Sequence, residues 1–146
     1  MNVSDLGRKE NVMDETIKSK LNVYPPAVKA ELVKLRELIF AIAKTESLGT
    51  ISESLKWGQL SFSSPKGSPF RIDWSPDTPT DVSLFFHCQS KLISTFREVY
   101  PNNFNYVGNR QIVLPLCSAS KHKALSHCIS VALRYHQVKE IPLLGL

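Results

Sequence analysis

Phe70-Arg71-Ile72-Asp73-Trp74 and, after a turn, Val82-Ser83-Leu84-Phe85-Phe86-His87-Cys88 are the stretches whose reading decides the fold. Both alternate with a period of two, which sends successive side chains of a β-strand to opposite faces of a sheet. Phe70, Ile72 and Trp74 fall on one face, and Arg71 and Asp73 on the other. In the second run Val82, Leu84, Phe86 and Cys88 alternate with Ser83, Phe85 and His87. By that parity His87 and Cys88 point away from each other. Two shorter runs lie upstream, Ser54-Leu55-Lys56-Trp57 and Gln59 to Phe62, joined through Gly58. Ser64-Pro65-Lys66-Gly67-Ser68-Pro69 and Ser75-Pro76-Asp77-Thr78-Pro79 are turn signals between the runs. The pattern predicts an antiparallel meander packed mainly on one side.

On either side of the meander the period changes to that of a helix. Val28, Leu32, Leu35, Ile39 and Ile42 recur at spacings of four and three, so they share a helix face. Lys29, Lys34, Arg36, Glu37 and Lys44 lie off that stripe. Tyr24-Pro25-Pro26 starts this helix, because proline is tolerated in a first turn, and Leu48-Gly49 ends it. A shorter helix is expected over Asp14 to Leu21. Lys91 to Tyr100 predicts a helix stopped by Pro101, Asn102 to Asn109 a loop, and Gln111 to Leu116 a strand. Ser120 to about Val138 predicts one last long helix with Leu125, Cys128, Ile129, Ala132 and Leu133 inward. The tail Ile141 to Leu146 is expected to lie extended across the domain. Residues 1–13 are expected to form a flexible N-terminal segment and 14–146 a single domain. The fold class is α+β: N-terminal helices, an antiparallel sheet of about five strands, helices packed on one face, and a C-terminal helix.

With 146 residues, 42% hydrophobic and 21% charged, the chain has an ordinary globular composition and enough length to build a core without staples. The three cysteines, Cys88, Cys117 and Cys128, make an odd count without Cys-x-x-Cys spacing. They are expected as small buried hydrophobes in a reducing, cytoplasmic setting. The opening Met1-Asn2-Val3-Ser4-Asp5 has no apolar h-region, so no secretory signal is expected. The longest apolar run, Leu38 to Ala43, is too short for a bilayer, and no membrane partner is expected. The net charge of +5 is concentrated after residue 100, where Arg110, Lys121, Lys123, Arg134 and Lys139 face Glu140 alone. Such spacing reads as a solvated surface; a nucleic-acid partner would call for a denser cluster.

Glu53-Ser54-Leu55-Lys56-Trp57-Gly58-Gln59-Leu60-Ser61-Phe62 resembles a segment of the YdhG-like family, a domain of unknown function. Gly108-Asn109-Arg110 and the final Ala132-Leu133-Arg134-Tyr135-His136 are similar to further features of that family, and the likeness spans roughly residues 14–146. The resemblance implies N-terminal helices, about five antiparallel strands and a C-terminal helix. One bacterial branch of the family is similar to frataxin and regarded as an iron chaperone for iron–sulfur assembly. That role needs exposed carboxylates, since iron ions favour oxygen ligands. Here Asp14, Glu15, Glu31, Glu37 and Glu46 are interspersed with Lys18, Lys20, Lys29, Lys34, Arg36 and Lys44. The fold carries over, and no iron-binding residue does.

Catalytic and metal patterns are absent from the sequence. His-Glu-x-x-His, paired Cys-x-x-Cys, a Gly-x-Ser-x-Gly elbow and a phosphate-binding Gly-x-x-x-x-Gly-Lys do not occur. His122 and His127 are five apart on a helix and do not face one another. The remaining constellation is polar and lies on or beside strands: Lys56, Gln59, Arg71, Asp73, His87 and Arg110, amid Trp57, Trp74 and Phe85. An apolar floor carrying a few polar groups is the usual form of a small-molecule site. Arg71 and Arg110 suit a carboxylate or phosphate, and the bland alternative is that Asp73 satisfies Arg71. The expectation is a non-enzymatic module without cofactor that binds a small anionic ligand or a protein partner. Alternatives are iron delivery, and an adaptor acting through the apolar tail. The sequence assigns no oligomeric state.

Overall fold

The computed structural model describes residues 12–146. Helix α1 (Glu15–Leu21) starts where the Asp14 carboxylate accepts a hydrogen bond from the Ile17 N–H at 2.9 Å, satisfying one of the donors every helix start leaves open. Helix α2 (Pro26–Thr45) follows from Pro25 and buries Val28, Leu32, Leu35 and Ile39 as the spacing requires. Its end differs from expectation. The left-handed residue that closes the helix is Ser47 (φ 55°), and Gly49 is left-handed too (φ 85°) but stands two residues further on. The Leu48 N–H returns to the Ala43 carbonyl at 2.8 Å and the Ser47 N–H to Lys44 at 3.2 Å, the bond pair of a Schellman closure.

Among the described residues the sheet has six strands in the order β1-β2-β3-β4-β6-β5, every neighbouring pair antiparallel. These are β1 (Ser52–Lys56), β2 (Gln59–Ser63), β3 (Phe70–Asp73), β4 (Asp81–Phe86), β5 (Asn105–Val107) and β6 (Gln111–Pro115). Helix α3 (Leu92–Val99) lies in the connection from β4 to β5. Residues opposite one another in an antiparallel ladder share a face. Leu60, Ile72, Leu84 and Ile112 therefore form one buried row, and Phe62, Phe70 and Phe86 the next. Stacking of Phe70 on Phe86 at 5.7 Å and the edge of Phe96 against Phe86 at 5.4 Å tie the sheet to α3. The expected loop Asn102–Asn109 contains β5, which makes the count six. Its middle residue, Tyr106, donates its hydroxyl to the carbonyls of Phe96 and Tyr100 at 2.8 and 2.7 Å.

The C-terminal part is more broken than one long helix. A 3-10 turn (Leu116–Lys121) precedes α4 (Lys123–Leu133), and Arg134 (φ −125°, ψ 24°) interrupts the axis before α5 (Tyr135–Val138). The β2–β3 loop covers the end of α4. There the Ser64 hydroxyl donates to the Leu133 carbonyl, and the Ser68 N–H to Ala132 at 2.9 Å. Gly67 permits this approach, because a Cβ there would stand 2.7 Å from the Leu133 oxygen. The tail is not extended. It coils at Pro142–Gly145, with Leu144 in the core and Ile141 and Leu143 exposed.

Two residue assignments change. Arg36, placed off the α2 stripe by its charge, is only 2% exposed. Its Nε and Nη2 donate to both Glu53 carboxylate oxygens at 2.6 and 2.8 Å, and its guanidinium lies 4.7 Å from the Phe40 ring centre. The fork and the ring together make burial of the charge tolerable. Of the cysteines only Cys128 is buried, while Cys88 and Cys117 are exposed, and all three are free thiols. Among the described residues no helix is long and apolar enough to cross a membrane. The expected flexible segment 1–13 falls, for residues 1–11, outside the described residues.

Candidate functional site

The helices cover one face of the sheet, and the site lies on the other. By register, Ser61, Arg71, Phe85 and Gln111 form a row across four strands of this open face. Beyond the end of β4, His87 continues on the same side, and Arg110 stands at the entrance to β6. Arg110 is held there through its own carbonyl, which accepts from the Phe86 N–H at 2.6 Å. Together Lys56, Trp57, Arg71, Phe85, His87 and Arg110 line a cavity of about 320 Å³. That volume sits at the small end of the range for small-molecule sites.

The electrostatics of this cavity are one-sided. Among the described residues its lining contains Lys56, Arg71 and Arg110 and no Asp or Glu. None of the three cations forms an ion pair among the described residues. Arg71 lies over the Phe85 ring at 5.7 Å, and its Nε is buried without a hydrogen-bond partner among the described residues. An unsatisfied buried donor costs about 1–3 kcal/mol, and the Arg71 side chain is not held by an internal acceptor at that nitrogen among the described residues. His87 Nδ1 accepts from the Gln89 N–H at 3.1 Å. This leaves Nε2 as the ring nitrogen without a partner among the described residues.

Three of the expected site residues are committed elsewhere. Asp73 does not pair with Arg71. Its Oδ1 accepts from the Tyr24 hydroxyl at 2.5 Å and its Oδ2 from Gln59 Nε2 at 3.3 Å. Burial, then the hydrogen bond to Asp73, raise the Tyr24 pKa well above the ordinary phenol range. Trp74 follows the covered-face parity, meets Tyr24 edge-on at 6.3 Å and donates its indole N–H to the Pro79 carbonyl at 2.8 Å. Gln59, Asp73 and Trp74 thus form a structural network beside the cavity rather than its wall.

Trp57 behaves differently. With Gly58 it forms the two-residue turn between β1 and β2, both residues at positive φ (56° and 73°). Such turns favour Asn-Gly or Gly-Gly, because a bulky residue is strained there by about 1–3 kcal/mol. The indole is nevertheless 89% exposed at the cavity rim.

Cys88 and Ser61 also line the cavity and were not in the sequence-derived set. Ser61 shares the parity of Arg71, a signal that could have found it. Cys88 breaks parity: β4 ends at Phe86, and the turn closed by the Ser90 N–H on the His87 carbonyl (3.1 Å) brings His87 and Cys88 to one side. They do not form a hydrogen bond with each other among the described residues. Elsewhere, burial pushes the Cys128 thiol up out of the range in which thiolates form. Tyr100 and His127 bond at 2.8 Å, and His122 caps α4 through its ring nitrogen. No cluster of three or more His, Cys, Asp or Glu side chains suited to a metal occurs among the described residues. Comparison with family models, with curated proteins and with solved structures returned no match.

Proposed function

We propose that this protein is a cytoplasmic, non-enzymatic binding module of the YdhG-like type that takes a small anion, a carboxylate or phosphate ester, on the open face of its sheet. The observation that carries the reading is the convergence of Lys56, Arg71 and Arg110 on one cavity, none of them in an ion pair among the described residues. Arginine presents a planar fork that matches carboxylate and phosphate oxygens, and lysine adds a point charge. The Phe85 ring beneath Arg71 keeps its guanidinium in a partly dry setting, where such bonds are stronger. The same charges repel a metal cation, which turns the reading away from iron delivery. Free thiols at Cys88 and Cys117 accord with a reducing compartment.

Thermal unfolding at constant ionic strength tests the proposal, with inorganic phosphate and citrate compared against chloride. A ligand at a hundredfold excess over its Kd stabilises by about 2.7 kcal/mol, several degrees in a chain of this size. Arg71→Leu should abolish the shift while the protein stays folded. No specific shift with either anion, or an undiminished shift in Arg71→Leu, sinks the reading.

A further inference from the structure

An anion alone does not account for Trp57. The indole is the most exposed large apolar side chain among the described residues, at 89%, and it occupies a left-handed turn position (φ 56°) that a small polar residue fills at lower cost. No hydrogen bond or aromatic contact among the described residues engages it, whereas Trp74 has both. Among the described residues nothing therefore requires an indole at position 57. Its position is specific all the same: one residue from Lys56, at the mouth of the cavity that holds Arg71 and Arg110.

Resting on the anion-site reading, we infer that Trp57 is a stacking platform, and that the ligand is a small anion carrying a planar ring, in the chemical class of a mononucleotide. The acidic group enters the cavity and meets Arg71, Lys56 and Arg110, while the ring lies on the indole at the rim. The dimensions agree with this division, since about 320 Å³ admits the acidic end and leaves the ring outside. An indole flanked by a cation is a sequence-tolerant receptor for any base, because every base has a π-face. The turn holds the platform beside the cavity, and Gly58, whose Cβ position is open, supplies the second left-handed residue without hindrance. A small ligand is favoured over a strand of nucleic acid because the cationic side chains converge on one cavity rather than along a groove.

The experiment compares adenosine monophosphate with ribose 5-phosphate, the same phosphoryl sugar without the ring, by calorimetry and tryptophan fluorescence. The wild type should bind the nucleotide about tenfold or more tightly than the sugar phosphate, the usual effect of one base stacked on an aromatic side chain. The nucleotide should also quench fluorescence. Trp57→Asn, which suits the turn and should fold, should bring the affinity ratio close to one. Trp57→Phe should remove the quench, and Trp74→Phe should keep it. Equal affinity for both ligands in the wild type would overturn the platform while leaving the anion site standing. Binding of neither would overturn both readings. Tighter binding of a single-stranded oligonucleotide than of the mononucleotide, per site, would replace the small ligand with a nucleic-acid strand.

Discussion

Each face of the sheet holds an arginine, and the two are treated in opposite ways. On the covered face Arg36 reaches down from α2 and finds the Glu53 carboxylate in a two-bond fork, with the Phe40 ring against it. On the open face Arg71 has a ring beneath it at a similar place, Phe85, but among the described residues no carboxylate, and one buried nitrogen without an acceptor. The ring–guanidinium contact is common to both. The anion is missing from one. A charge matched within the chain contributes to the fold, whereas an unmatched charge at a cavity leaves its affinity for something outside it.

Removing the internal anion from the first arginine should make it resemble the second, at much greater cost because it is buried. Glu53→Ala leaves the Arg36 guanidinium without its partner and should destabilise the protein by about 3–5 kcal/mol. The double change Arg36→Met with Glu53→Leu should recover most of that loss, because a buried pair is often replaceable by apolar groups of similar volume. Urea unfolding of the three proteins measures both. A Glu53→Ala loss below about 1 kcal/mol would mean that water reaches Arg36 and that the contrast between the faces is smaller than drawn.

The two faces also differ in how legible they were in the sequence. The open face could be read from parity, since Arg71, Phe85 and His87 alternate with apolar residues that had to be buried, and Lys56 stands immediately before the turn formed by Trp57 and Gly58. Arg36 carries a charge, which argues for exposure, yet it lies buried against Glu53 and Phe40. The four-residue steps Leu32–Arg36–Phe40 and the covered-face position of Glu53 beside Leu55 were there to be weighed. Asp73 could not be resolved locally, because its phenol partner lies 49 residues away in sequence. Strand β5 was hidden by its brevity. It is three residues long, and its hydrogen bonds come from β6 and from the Tyr106 hydroxyl rather than from an alternating pattern. The break at Arg134 lies where the β2–β3 loop docks onto the end of α4, a tertiary contact without a signature in the helix itself.

The Tyr24–Asp73 bond marks where the open face becomes structure again. Tyr24→Phe removes the donor and should cost about 2 kcal/mol, since hydrogen bonds to charged groups are the stronger ones. It should also change the alkaline limb of the stability curve. Above pH ~10 the unfolded chain loses the phenol proton that the folded chain keeps. Unfolding then releases a proton, and each further rise in pH favours it by up to ~1.4 kcal/mol per unit per group. Tyr106 and Cys128, both raised chiefly by burial, act in the same direction, with the thiol starting first. Stability of the wild type should fall steadily above pH ~9, and Tyr24→Phe should fall less steeply above ~10. Parallel pH curves for the two proteins would show that Tyr24 ionises as readily in the folded state as in the unfolded one.

The smallest effect has the opposite sign, and it sharpens the comparison most. If the open face is built for an outside partner, a substitution that serves only the fold should improve stability there. Trp57→Asn places a residue at φ 56° that tolerates the left-handed region and makes the turn Asn-Gly, the preferred pair for this geometry. The gain should be about 1 kcal/mol, read as a higher urea midpoint at unchanged slope. Little packing is lost, because the indole is 89% exposed. A protein that becomes more stable on losing Trp57 is one in which the indole stands at a cost to the fold. Destabilisation instead would mean that the indole packs on its neighbours in solution, making position 57 part of the fold's own cohesion, as position 36 is.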